Sequence, residues 1–267
     1  MDTARSIGDH LRAWRQRRRM SQLDLASEAE ISTRHLSFVE SGRSQPSRDM
    51  VLHLAERLDI PLRDRNVLLV SAGFAPIFPE RPLEDPQLRS ARRAIEVVLT
   101  GHEPYPALAV DRHWQLVQAN TAVERLLTGA APSLLVPPIN VLRLSLHPEG
   151  LAPRIANLAQ WRQHLLERLR RQVDVSADPV LADLLEELRG YPAPARGGRP
   201  PDGLGADFGG VVIPFRFVSE GAVLSFFSTT TVFGTPLDIT LSELALEAFF
   251  PADPTTAEML SRLARKA

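Results

Sequence analysis

The sequence contains no cysteine and a single lysine, Lys266, among its 267 residues. The absence of cysteine excludes disulfides, thiolate metal sites, iron–sulfur clusters and thiol catalysis. The formal net charge is −1, so the chain as a whole is not a basic nucleic-acid binder. Any surface that binds nucleic acid must therefore be local, and its positive charge must come from arginine.

Long apolar runs are also missing. No stretch approaches the roughly 18 consecutive apolar residues of a transmembrane helix. The first residues, MDTARSIGDHLRAW, carry charges where a signal peptide would need an apolar segment. We therefore expect a cytoplasmic protein with no membrane partner.

The common catalytic motifs are absent as well. The 7 histidines are scattered along the chain, and no pair has the helical spacing of a metal site such as HExxH. There is no G-x-S-x-G nucleophile elbow and no glycine-rich phosphate loop. We therefore expect no enzymatic activity, no cofactor and no metal.

Proline divides the sequence into two regions. Residues 1–75 have the apolar spacing of consecutive short helices, whereas residues 91–267 mix strands and helices. Between them, residues 76–90 are rich in proline, which restricts its own backbone and disfavours helix in the residue before it. We predict an all-α domain, a linker and an α+β domain, with a flexible Pro/Gly-rich loop at 190–205.

Serine residues mark the starts of three helices predicted in the first region. Ser6, Ser21 and Ser32 each precede an apolar stripe, and Asp24 follows Ser21 at the spacing of a capping box. Gly42 can end the third helix in the left-handed conformation. With two more helices at about 47–58 and 62–72, the pattern predicts five short helices, the first at about 7–19 and the third at 33–40.

The segment QLDLASEAEISTRHLSFVESGRSQPS resembles the Cro/repressor-type helix-turn-helix family, and the likeness covers roughly residues 7–58. The shared pattern is Gln-x-x-Leu-Ala, an apolar-Ser cap, Glu-x-Gly-Arg and a Pro-Ser helix start. One departure is Glu30, which stands at the corner where the family usually has glycine. A non-glycine residue in the left-handed conformation costs about 1–2 kcal/mol, which leaves open whether this corner bends differently.

The resemblance implies a transcriptional regulator that docks its third helix into the major groove of double-stranded DNA. Thr33, Arg34 and Phe38 would face the bases; Arg34 can bond guanine bidentately, while Phe38 either packs on a thymine methyl or braces the domain. The arginines within 12–19 form either a solvated face or a surface toward DNA. Operators are usually paired half-sites, so we expect a homodimer. The residues expected at phosphates are Arg15, Gln22, His35, Arg43 and Ser47.

Alternating apolar residues predict an antiparallel sheet in the second region. A strand at 108–110 and a second at 114–118 flank a turn, and Asn120 can cap a helix at 121–127. A helical middle carries an apolar stripe, and a last helix is expected at about 256–266. The residues predicted to share strand faces further on are Val211, Ile213, Phe215 and Phe217; Leu224, Phe226, Ser228 and Thr230; and Leu244, Leu246, Ala248 and Phe250.

Three segments of this region resemble the MmyB-like regulator ligand-binding domain, over about residues 85–260. They are HEPYPALAVDRHWQLVQAN, NVLRLSLHPEGLAPRIANLAQWRQHLLERL and TTTVFGTPLDITLSELALEAFFP. The resemblance implies a PAS-like fold with an apolar cavity and a fatty-acid-like ligand. Some repressors instead carry a self-cleaving serine–lysine protease domain, which a single lysine at the penultimate position does not support.

Six residues are candidates for the cavity wall. The aromatic members are also ordinary core residues, and a buried Arg143 would need a partner, either a ligand carboxylate or an acidic side chain of the protein. The alternative function is a DNA-binding regulator whose second domain only dimerises, without a ligand. The candidate cavity residues are Tyr105, Trp114, Arg143, His147, Trp161 and Phe226.

Overall fold

The computed structural model describes residues 5–192, 213–234 and 236–265. The chain divides into two compact units. The first comprises the described residues up to Pro82 together with those between Gly234 and Ser242, and the second comprises the remainder. Most of the loop predicted at 190–205 lies outside the described residues, as do Val211 and Lys266.

The first unit is built from helices with the predicted order and approximate bounds. The helix-turn-helix consists of the second and third helices, and apolar residues from all five helices meet in one core that includes Leu11, Leu36 and Leu54. The helices are α1 (Ile7–Arg17), α2 (Gln22–Glu28), α3 (Thr33–Glu40), α4 (Arg48–Arg57) and α5 (Leu62–Ser71).

The predicted serine caps are confirmed. Ser6 and Ser21 each accept a hydrogen bond from the backbone of the aspartate three residues later, whose carboxylate bonds back, which completes two capping boxes. Ser32 accepts from the backbone N–H of His35 at 3.1 Å. Because these hydrogen bonds join only neighbours in sequence, the starts of these helices can be predicted without knowledge of tertiary contacts.

Glu30, at the corner between α2 and α3, adopts the left-handed conformation. Glu30 has φ +52°, so the family's backbone geometry is kept without the glycine. Ile31 donates its N–H to the carbonyl of Ala26 at 2.9 Å, which closes the turn. The cost of a side chain at this φ, about 1–2 kcal/mol, is carried by the surrounding packing.

The second unit contains a five-stranded antiparallel sheet with strand order β2-β1-β5-β4-β3. The first and last strands in the sequence, β1 and β5, are neighbours in the sheet. Their pairing, in which Leu108 is opposite Glu247, joins the β1–β2 pair to the strands β3 to β5. The strands are β1 (Ala107–Val110), β2 (Leu116–Ala119), β3 (Phe215–Ser219), β4 (Ala222–Val232) and β5 (Ala245–Pro251).

Helices cover this sheet. The core between sheet and helices is aromatic at its centre, where Phe217 and Phe226 are fully buried. Asn120 caps its helix as predicted, since its side chain accepts from the N–H of Val123. The helices are α6 (Arg89–Gly101), α7 (Thr121–Leu127), α8 (Val141–Leu146), α9 (Leu158–Ser176) and α10 (Pro179–Gly190).

One connection of the sheet belongs to the first unit. Between β4 and β5 the chain forms α11 (Ile239–Ser242), which is part of the first unit. There Ile239 donates its N–H to the carbonyl of Pro79 at 2.8 Å, and Arg81 pairs with the buried carboxylate of Asp238 at 2.9 Å. The last helix, α12 (Pro254–Arg265), returns to the second unit.

The predicted second strand starts later than expected. Trp114 has φ +65° and lies in the turn, whereas β2 begins at Leu116. Asp111 holds this turn, because its side chain accepts from the N–H groups of His113 and Gln115 at 2.8 Å each. The Asx-type turn therefore extends two residues further than the alternation pattern indicated.

Candidate nucleic-acid interface and ligand cavity

Helix α3 presents one buried and one outward face. Leu36 and Val39 are buried in the core of the first unit, whereas Arg34 is exposed and Thr33 is half-buried. The cap at Ser32 leaves the first turn of the helix accessible. This is the turn whose side chains reach base edges when such a helix enters the major groove.

Phe38 organises the charged side chains of this face. The guanidinium of Arg34 lies 5.3 Å from the centre of its ring and that of Arg43 lies 5.9 Å from it. Neither guanidinium has an ion pair with any other described residue. The face therefore carries two positive charges held on one aromatic ring and available to an anionic partner.

A buried carboxylate joins α3 to α1 and α2. Glu40 is only 2% exposed and accepts from Arg15 Nε at 2.7 Å, from Arg15 Nη2 at 2.9 Å and from Gln22 Nε2 at 2.8 Å. Arg12 adds a longer contact at 3.6 Å. Burial raises the pKa of Glu40, but the hydrogen bonds from Arg15 and Gln22 and the charge of Arg15 outweigh it and hold the pKa below its usual value.

The structure places the predicted phosphate residues in two groups. Arg15 and Gln22 direct their side chains at Glu40, and Arg15 also donates to the carbonyl of Met20 at 2.9 Å. Arg43 is exposed, His35 is half-buried, and Ser47 caps α4 by accepting from the N–H of Met50 at 3.2 Å. The contact of each with phosphate stays a prediction.

The arginine cluster at 12–19 is partly structural. Arg18 donates to the carbonyls of Leu58 and Asp59 at 2.8 Å each, at the end of α4. Arg17 stacks on Trp14, with its guanidinium 4.8 Å from the ring centre. Arg18 therefore connects the end of α1 to the end of α4, whereas Arg17 packs on its own helix. The interpretation as a solvated face did not include these contacts.

An apolar cavity of about 100 Å³ lies between the sheet of the second unit and the helices α7, α8 and α9. Its apolar wall includes Leu108 of β1 and Phe249 of β5, together with Leu142 and Leu165 from the helices. Only four of the lining side chains carry polar side-chain atoms away from an aromatic ring: Ser145, Arg168, Ser228 and Glu247.

Arg168 and Glu247 form an ion pair at the cavity. Arg168 donates from Nη2 to Glu247 Oε1 at 2.5 Å and from Nη1 to Oε2 at 3.2 Å. Its guanidinium also lies 4.6 Å from the centre of the Trp114 ring, and Thr230 donates to Glu247 at 2.9 Å. The glutamate side chain is 5% exposed and that of the arginine 23%, so the pair is largely removed from water.

The six candidate cavity residues fall into two sets. Trp114, Trp161 and Phe226 line the cavity. Tyr105, Arg143 and His147 are not among the lining residues.

Arg143 forms an ion pair with a side chain of the protein instead of lining the cavity. It pairs bidentately with Glu187, at 2.8 Å from Nε and 2.7 Å from Nη2, and Tyr191 donates to the same carboxylate at 2.7 Å. The hydrogen bond from Arg143 lowers the pKa of Glu187 against the effect of burial, and burial together with the Glu187 hydrogen bond raises the pKa of Tyr191. His147 packs edge-on against Tyr191, with ring centres 5.1 Å apart. Of the two partners expected for Arg143, this geometry supplies the acidic side chain.

The positions of the buried charged residues on helices could have been found from helical spacing. Arg168 lies three residues after Leu165 and seven after Trp161, both buried, so it occupies the apolar stripe of α9. Arg15 and Glu40 lie on the stripes of α1 and α3 in the same way. A charged residue at a stripe position signals a buried pair, although spacing alone does not identify the partner.

Within the residues that the structure describes, no group of three or more histidine or acidic side chains could hold a metal ion. Among the same residues, no helix has the length and apolar character to cross a bilayer.

Comparisons with known proteins identify two families. Residues 91–263 match the MmyB-like transcription regulator ligand binding domain, and residues 11–64 match a helix-turn-helix family. No curated protein matches the chain. A structure titled "Structure of an RNA-binding Light-Oxygen-Voltage Receptor" is 14% identical with a TM-score of 0.28; the alignment covers 98% of this chain and 62% of that one, and supports no conclusion about function. The protein has the helix-turn-helix of a DNA-binding regulator, and it belongs to the family of MmyB-like transcription regulators with a ligand binding domain.

Proposed function

We propose that this protein is a transcriptional regulator whose binding to an operator is controlled by a small apolar effector in the second unit. The observation that carries the proposal is the apolar cavity of about 100 Å³ in a chain that also has a helix-turn-helix. An effector acts only through different affinities for two states of the protein. Release from the operator, or tighter binding to it, would follow from that difference.

The DNA-reading edge in this proposal is the first turn of α3. Arg34 is exposed, is held on Phe38 and can form the bidentate bond to guanine O6 and N7. Thr33 and Phe38 complete the edge that faces the bases. Arg43 supplies charge toward a phosphate, and a homodimer would place two such edges on paired half-sites.

The experiment starts from the DNA that co-purifies with the full chain, which is sequenced to obtain an operator. We expect Arg34→Ala to weaken operator binding by about 1–3 kcal/mol and to relax specificity at one base pair, because a bidentate base contact is lost. Fluorescence anisotropy against operators mutated one base pair at a time measures both effects.

The matched variant is Arg43→Ala, on the same aromatic ring. It should weaken binding to all sequences alike and reduce the salt dependence by about one phosphate contact. If Arg34→Ala binds its operator as tightly as the wild-type protein, the assignment of α3 to the major groove is wrong.

The size of the cavity bears on the effector. Ligand pockets usually enclose about 300–1,000 Å³, whereas this cavity encloses about 100 Å³. A long fatty-acid chain would therefore extend beyond this space unless the helices over the sheet move apart. The fatty-acid-like effector stays a prediction from family resemblance, and a short ligand fits the geometry better.

A second function is favoured by the same small volume together with exposed apolar side chains on α6. Val97 and Val98 are 55% and 48% exposed, although Ile95 and Leu99 of the same helix are buried. In this version the second unit only dimerises and binds no effector. The ligand-binding measurements described below separate the two functions.

A further inference from the structure

The polar end of the cavity carries no net charge. The positive charge of Arg168 is opposed by that of Glu247, and both carboxylate oxygens already accept from the guanidinium. His164 stacks on Trp161, with ring centres 5.5 Å apart and an angle of 30° between the ring planes. Burial, followed by the charges of Arg168 and Arg171, lowers its pKa and so favours the uncharged ring. No charge in this neighbourhood is left to receive an ionised ligand.

A carboxylate entering this cavity would be costly. It would compete with Glu247 for the same guanidinium, and two carboxylates at one cation repel each other where little water is present to screen them. Burying a charge that is not fully paired is strongly unfavourable. The ion pair therefore discriminates against acids of any chain length.

A neutral polar group meets a different environment. Ser145 accepts from Trp161 Nε1 at 3.0 Å, which leaves its own hydroxyl hydrogen available to donate. Ser228 adds a second hydroxyl to the lining. The Arg168 guanidinium has five N–H groups, of which three donate to Glu247 and Thr230. The remaining donors suit a hydroxyl or carbonyl oxygen.

We propose that the cavity selects a small neutral molecule with one hydroxyl or carbonyl group, and that Glu247 excludes carboxylic acids by occupying Arg168. The inference rests on the proposed function, since it assumes that the cavity binds the effector. The volume sets the size of the apolar part. The space of about 100 Å³ is smaller than the buried apolar cavity of about 150 Å³ that accommodates benzene, and it is partly open to solvent, so it suits the apolar part of a short alkyl chain.

The test compares three probes with the full chain at pH 8 by isothermal titration calorimetry: hexan-1-ol, hexanoate and benzene. We expect hexan-1-ol to bind at least tenfold more tightly than hexanoate and more tightly than benzene. Hexanoate binding that equals or exceeds hexan-1-ol binding overturns this inference while the proposed effector control stands. Benzene binding as tightly as hexan-1-ol also overturns it, because the polar group then contributes nothing.

If none of the probes binds, the cavity is not an effector site, and the proposed function fails together with the inference. The dimerisation-only function is then favoured. Preference for hexan-1-ol, loss of that preference, and absence of binding can all be distinguished with the wild-type protein. The test therefore does not depend on the folding of any variant.

A variant tests the residue that sets the selectivity. Glu247→Gln removes one negative charge and leaves Arg168 positive, so hexanoate affinity should rise at least tenfold while hexan-1-ol affinity changes little. Glu187→Gln is the matched control, because Glu187 also pairs with an arginine of the second unit but does not line the cavity. Selectivity that is unchanged in a folded Glu247→Gln protein, or lost equally in the control, overturns the role of Glu247.

Discussion

Glu30 shows how far backbone strain at a single residue can be predicted from the sequence. Glu30 holds φ +52° at the corner of the helix-turn-helix, where the family pattern has glycine. The position could be identified from the sequence, but whether the backbone would bend away could not, since that depends on how firmly Ala26 and Ile31 fix the turn. In the structure the backbone keeps the left-handed conformation at Glu30.

Replacing this residue by glycine should stabilise the protein. Glu30→Gly removes a left-handed side-chain cost of about 1–2 kcal/mol, and the greater freedom of glycine in the unfolded chain returns about half of it. We expect a gain of up to about 1 kcal/mol in the free energy of unfolding, measured by urea denaturation.

Gly42 provides the opposite control. It has φ +74° and nothing within 4 Å of where a Cβ would lie, so Gly42→Ala adds no steric clash and changes only the backbone strain and the freedom of the unfolded chain. This variant should be less stable by about 1 kcal/mol. A Glu30→Gly protein that is less stable than wild type would mean that the side chain of Glu30 contributes more than its backbone costs.

Among whole elements, the helices of the first unit were predictable and their charged contacts were not. Four of the five, α1 to α4, start at serine caps whose hydrogen bonds lie within three residues, a local signal that the sequence shows directly. The pair between Arg15 and Glu40 joins residues 25 positions apart, so no local pattern contains it. The pair between Arg168 and Glu247 spans 79 positions and was missed for the same reason.

The Glu40 cluster should make the attachment of α3 to α1 dependent on pH. Because its pKa in the folded protein lies below the usual value of 4.5, the ionised carboxylate stabilises the fold above about pH 4.5, and this contribution is lost as the pH falls through the folded pKa. At pH 7, Glu40→Gln should therefore lower the free energy of unfolding of the protein, because Arg15 is left unpaired in a buried site.

Comparing the variant with wild type at several pH values isolates this group. Other capping carboxylates with lowered pKa values, such as Asp9 and Asp24, are present in both proteins and cancel in the difference. The difference in the urea midpoint should shrink as the pH falls below about 4.5. A difference that is constant between pH 7 and pH 3.5 would rule out the ion pair as its source.

At the scale of the whole molecule, the second unit has the predicted α+β class. The two units are not consecutive in the sequence, because a segment between two strands of the second unit belongs to the first. The alternation of β4 and β5 predicted two strands correctly. Nothing in their pattern indicated that residues 234–242 between them would join the helical unit. Ile239 is 2% exposed there, and its partners lie about 160 positions earlier, beyond the range of any periodicity.

This connection predicts how a truncated protein behaves. A fragment ending at Pro82 lacks Asp238 and Ile239, so Arg81 loses its carboxylate and the site of a buried isoleucine is opened to water. Exposing such a site costs about 1.5–3 kcal/mol. We expect the fragment to unfold at lower urea concentration than the first unit does within the full chain.

A full-length Ile239→Ala protein separates the causes. If loss of the α11 contacts explains the fragment, this variant should lower the urea midpoint of the first unit in the same direction, by an amount consistent with about 2–5 kcal/mol. A fragment as stable as the intact unit would show that α11 adds nothing to it.

The excursion of residues 234–242 also bears on how such a protein can evolve. A regulator whose two units were consecutive in sequence could exchange either one by a single recombination event at the linker. Here the helical unit is completed by a loop encoded inside the gene segment for the sheet. A recombinant that received a foreign second unit would lose α11 as well, so the helix-turn-helix and the ligand binding domain are expected to be inherited together.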